Sequence, residues 1–170
     1  MSLDTTAPAA SQPDGFTAEP LAIPSSLGDA SAESFHEMTA LRNAVARETY
    51  RNDDFVLPAE VLLPGYEASE YERRDGRLIR EHGRLVGRVL FDLPLTEDVH
   101  MAKMMLEIHP EARGRGFGAA AYELGERLVR EAGRTEIRTW VVHREVDGPR
   151  IPSPTGVGDI PALDPAAQML

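Results

Sequence analysis

Along this chain the spacing of hydrophobic residues switches between about 3.6 and 2, and each switch marks a new element. Leu21 to Ile23 is a short apolar run ended by Pro24, which reads as a first strand. Phe35, Met38, Leu41 and Val45 then recur at helical spacing, so a helix is predicted from a cap at Asp29 or Ser31 to about Tyr50. From Ala59 to Arg74 the helical pattern returns, broken by Pro64-Gly65 into two short pieces, and Asp75-Gly76 is a turn signal. Leu78 to Glu81 and Leu85 to Leu93 read as strands joined at His82-Gly83.

Val99 to Ile108 is the next strand. Strict alternation puts Ala102, Met104, Leu106 and Ile108 on one face, with Met101, Lys103, Met105 and Glu107 on the other. Gly116 to Ala132 returns to helical spacing, striped by Phe117, Ala121, Leu124 and Leu128, with Gly133 as its stop. Thr135 to Val142 is predicted as a strand that carries Trp140 into the core. Asp147 to Pro165, rich in Gly and Pro, is expected as a loop, and Pro165 to Leu170 as the first turn of a helix. Residues 1–20 are too polar to offset their ordering entropy and are expected as a disordered tail, leaving one domain over 21–170.

Composition narrows the chemistry. A net charge of -10 over 170 residues argues against a general binder of nucleic acid or anionic membrane. Absence of cysteine excludes disulfides, thiolate metal sites and a thiol nucleophile. No apolar run reaches the ~18 residues of a membrane span, and no signal peptide is recognisable, so a cytoplasmic home is expected. The histidines lack H-x-x-x-H spacing, so no metal is expected. Lys103 is the only lysine.

The most informative stretch is LEIHPEARGRGFGAAAYELGERL, Leu106 to Leu128. A helix N-terminus presents unpaired N–H groups and partial positive charge, and a loop entering it can wrap those groups around a phosphate. Side chains would block that approach, which suits Gly114, Gly116 and Gly118, while Arg113 and Arg115 add charge. A plain tight turn eased by glycines is the alternative. A P-loop is excluded because no lysine follows the glycines. Gly114-x-Gly116-x-x-Ala119 formally fits a dinucleotide fingerprint, but five residues separate it from the strand, and the acid expected some 20 residues on is missing.

Arg113-Gly114-Arg115-Gly116-Phe117-Gly118 resembles the Q/R-x-x-G-x-G/A motif of the GNAT family of N-acetyltransferases. The order of predicted elements over 21–170 is similar too. The resemblance implies an α+β fold, a mixed central sheet flanked by helices. It implies direct transfer of acetyl from acetyl-CoA to a small-molecule amine or a protein N-terminus. The loop N–H groups of Gly114, Arg115, Gly116, Phe117, Gly118 and Ala119 would hold the pyrophosphate. The backbone of Leu106, Glu107 and Ile108 would pair with the pantetheine arm. Glu107 is the candidate base if it points into the acceptor cleft, and otherwise a solvated or salt-bridged acid. His109 and His143, at strand ends, read as structural. Asp164 to Leu170 resembles the opening of the family's next helix, so that helix, the last two strands and a tyrosine they often carry are expected to be missing. An edge exposed along the Trp140 strand would then favour self-association. A non-catalytic acyl-CoA-binding or structural module is the alternative function.

Overall fold

The computed structural model describes residues 12–67, 69–140, 142, 148–152 and 159–161. Strands β1 (Phe16–Pro20), β2 (Glu72–Glu81), β3 (Arg84–Pro94), β4 (Met101–Ile108) and β5 (Glu136–Arg138) form one sheet in that spatial order. The first four are antiparallel neighbours and β5 runs parallel to β4, so the sheet is mixed as expected. Helix α1 (Glu33–Tyr50) and the single-turn α2 (Ala59–Leu62) pack on one face, and α3 (Phe117–Glu131) on the other. Two further strands, β6 (Arg150–Pro152) and β7 (Asp159–Pro161), pair with each other inside the stretch expected to be loop.

Period-two alternation explains the two faces. Phe35 and Met38 of α1, with Tyr66, cover Leu78 of β2 and Leu90 of β3. The next residues along those strands point the other way. Ile79 joins Ile108, Phe117 and Ala121, while Val89 and Phe91 join Met104 and Val129. The apolar faces read from the sequence for α1, β4 and α3 are therefore the buried ones.

Three expectations need correction. The first strand is Phe16–Pro20, within the segment expected as a disordered tail, and not Leu21–Ile23. It is an edge strand held mainly by its ladder, from Phe16 opposite Glu81 to Pro20 opposite Arg77. Four of its five residues are exposed, so it carries no apolar run to detect. Asp75-Gly76 is not a turn, because β2 runs straight through it. A Cβ at Gly76 would lie 2.7 Å from Leu90 Cδ2, so Leu90 would have to shift to admit a side chain there. The last strand of the main sheet is only Glu136–Arg138, and Trp140 beyond it is 53% exposed, not core. The tail residues 1–11, His143 and the 164–170 segment lie outside the described residues. No helix among the described residues is long and apolar enough to cross a membrane.

Candidate active site

The β4–α3 junction is built by a sharp change of direction. The His109 N–H donates to the Val86 carbonyl at 2.8 Å, which holds the end of β4 on the sheet. A single 3-10 turn, Pro110–Ala112, leads away from it. Gly114 and Gly116 then take φ of 71° and 87°, in the left-handed region where an L side chain is strained. Gly116 is the residue before α3 and has no side chain to cap the helix. The N–H groups of Gly114 to Ala119 precede the first hydrogen bond of the helix, made by Ala120 N–H to the Gly116 carbonyl at 3.1 Å. Phe117, 1% exposed, anchors this end in the core. At Gly118 an added Cβ would make only ordinary contact, 3.7 Å from Ile108.

The two loop arginines make contacts within the protein. Arg113 donates from Nε to the Ile108 carbonyl at 3.2 Å and pairs through Nη1 with Glu48 of α1 at 3.0 Å. Arg115 pairs with both carboxylate oxygens of Glu81, at the end of β2, and lies 5.3 Å from the Phe117 ring centroid. In this state the unpaired anion-attracting groups are the backbone N–H groups and the positive end of α3.

Leu106, Glu107 and Ile108 pair with Val89, Arg88 and Gly87 along one edge of β4. On the other edge, pairing with β5 stops at Lys103 opposite Arg138. From Met104 to Ile108 that edge has no strand partner among the described residues. An unpaired strand edge can accept an extended, amide-bearing chain.

Glu107 lies on the α1 face and is salt-bridged. Its Oε2 accepts from Arg88 Nε at 2.6 Å, and the Arg88 side chain is only 3% exposed. Arg88 also donates from Nη1 to the Tyr66 hydroxyl at 2.8 Å. The Glu107 carboxylate thus compensates a charge that burial would otherwise make costly. His109 Nδ1 accepts from the Glu111 N–H at 3.4 Å.

Arg88 and Met105, but not Glu107, line a cleft of about 260 Å³ between α2, the following 3-10 turn and the sheet. Arg42, Tyr66, Arg74, Asp92, Lys103 and Trp140 are among its lining residues. Arg74 Nε donates to Asp92 Oδ1 at 2.5 Å, and that bond raises the pKa of the guanidinium against the opposing effect of burial. Lys103 pairs with Glu72 at 3.2 Å. Sequence reasoning missed these residues because they come from elements far apart in the chain. One signal was present: Arg88 and Asp92 share a face of an otherwise apolar strand. Another cavity, of about 230 Å³, lies by Leu128 and Val129 near the C-terminal end of α3, away from the loop. No group of three or more His, Asp or Glu among the described residues is placed to hold a metal.

Comparison with known proteins agrees with this architecture. The sequence profile of the Acetyltransferase (GNAT) family matches residues 38–148. Among solved structures, a tandem GNAT protein from the clavulanic acid biosynthesis pathway is 24% identical with a TM-score of 0.62, over 91% of this chain. The chain spans 41% of that protein's length. A ribosomal-protein-alanine N-acetyltransferase from Brucella melitensis is 17% identical with a TM-score of 0.51, over 73% of this chain and 78% of its own. An aminoglycoside acetyltransferase from an uncultured soil metagenomic sample, solved with sisomicin, is 16% identical with a TM-score of 0.55, over 75% of this chain and 78% of its own. No curated protein matches the chain by sequence.

Proposed function

Because the chain belongs to the acetyltransferase (GNAT) family, we propose that it transfers acetyl from acetyl-CoA directly to an amine. The observation that carries this reading is the left-handed glycine loop running into α3 beside the open edge of β4. The loop N–H groups would bind the pyrophosphate, and the amides of the pantetheine arm would pair with Met104 to Ile108. The thioester then lies at the mouth of the cleft by Met105, where a backbone N–H of β4 can stabilise the oxyanion. In direct transfer the carbon–nitrogen bond forms, the carbon–sulfur bond breaks, and CoA leaves as a thiolate that takes its proton from solvent, a route that agrees with the absence of cysteine. The amine must lose a proton to attack. Asp92 and Glu107 are both engaged in ion pairs with arginines, so water is assigned as the immediate acceptor of that proton.

The similar structures include acetyltransferases of different acceptors, so they do not single out an acceptor for this chain. Calorimetric titration with acetyl-CoA and thiol release over a panel of amines test the proposal. Saturable acetyl-CoA binding with amine-dependent thiol release is expected. Binding without release from any amine would favour the non-catalytic module, and no binding would overturn the reading altogether.

A further inference from the structure

Resting on that function, we infer that the acceptor is a small amine which also carries a carboxylate, and that Arg42 is the residue that selects it. The charges of the cleft carry the inference. Four cations line it: Arg42, Arg74, Arg88 and Lys103. Three of them are matched by carboxylates, Arg74 by Asp92, Arg88 by Glu107 and Lys103 by Glu72. Arg42 is the exception. Its guanidinium donates to two neutral oxygens, the Phe55 carbonyl and Asn43 Oδ1, and among the described residues no carboxylate forms an ion pair with it. Among the described residues, one positive charge of the cleft is therefore without a carboxylate partner, in a chain whose net charge is -10.

That local inversion selects between amines. A polycation would meet an excess of positive charge at close range and would be repelled. A zwitterion would place its carboxylate on the Arg42 fork, a charge-assisted contact suited to a planar anion. Size limits the rest. A volume of about 260 Å³ is small for a ligand site, so the part of the acceptor seated in the cleft is compact. The outer wall is apolar, with Val61 and Trp140 each more than half exposed beside the opening. A compact amino acid with an apolar side chain meets all three conditions. Its amine would point toward Met105 and the open edge of β4, where the thioester is proposed to lie.

The test is equilibrium binding, so it does not depend on turnover. Calorimetry in the presence of CoA would compare matched pairs that differ only in the carboxylate: L-leucine with isopentylamine, and L-phenylalanine with phenethylamine. The acid of each pair should bind at least about tenfold tighter, the scale of one charge-assisted contact. Arg42→Gln should bring the two members within about twofold of each other, and Arg42→Lys should retain part of the preference. Melting curves check that both variants fold. Equal or weaker binding of the acids, a preference that survives Arg42→Gln, or no binding of any acid would each overturn the inference. Acetyl-CoA titration on the same protein separates the two levels. If acetyl-CoA binds and acids are rejected, only the acceptor assignment falls. If acetyl-CoA does not bind, the function beneath it falls as well.

Discussion

At the residue scale, neighbouring glycines of the loop have different jobs. Gly116 is required by its φ of 87°, so Gly116→Ala should cost about 1–2 kcal/mol of folding stability whatever it does to binding. Gly118 has ordinary backbone geometry, and a Cβ there would make only ordinary contact with Ile108. Gly118→Asp puts a carboxylate in the first turn of α3, where the helix dipole should favour folding by about 0.3–1 kcal/mol. The same charge faces the expected pyrophosphate, so acetyl-CoA affinity should fall about tenfold or more. Urea denaturation and calorimetry on this one variant should move in opposite directions, and parallel losses would place the coenzyme elsewhere. Glu107 is a case of structure before chemistry. Glu107→Gln strands the nearly buried Arg88 charge and should cost about 3 kcal/mol, with most of it recovered when Arg88→Met is added. A stable single variant with turnover reduced ~10²-fold would instead restore Glu107 as the base.

At the element scale, legibility followed burial. The helices α1 and α3 could be read because each buries one side and leaves a period in the sequence, and β4 because its apolar residues alternate between the clusters it separates. The loop glycines could be read because backbone geometry there has few solutions. Strand β1 could not, since main-chain hydrogen bonds hold it and leave no mark on side-chain type. The same holds for the cleft, assembled from separate elements by the sheet register. Phe16 is the main side-chain anchor of β1, packed with the Ile79 cluster and stacked 6.4 Å from Phe117. Phe16→Ala should cost about 1–2 kcal/mol and release β1 to limited proteolysis before the rest of the sheet. Simultaneous cleavage of β1 and β2 would mean that β1 is held by more than its ladder and this one ring.

At the scale of the whole molecule, the two sheet faces divide the proposed work, with coenzyme beside α3, acceptor beneath α1 and α2, and the open edge of β4 where they meet. Acid should loosen this arrangement in a defined way. Arg84 lowers the pKa of Glu111, and Arg138 lowers that of Glu136, in each case chiefly through a hydrogen bond. Carboxylates depressed by folding contribute fully above their unfolded pKa, and that contribution is lost as pH falls through the lower folded value. The urea midpoint should therefore be flat from about pH 7 to 5 and decline below about pH 4, less steeply in high salt because both acids are exposed. A decline that begins above pH 6 would point to histidine instead. The cleft also holds the chain's single lysine, Lys103, with its side chain 41% exposed. An amine-reactive ester therefore has one side-chain target in the entire chain, and that target lies in the cleft. A fluorophore coupled there at high pH should report an occupant of the cleft directly, and Lys103→Arg gives a chain with no side-chain amine to label.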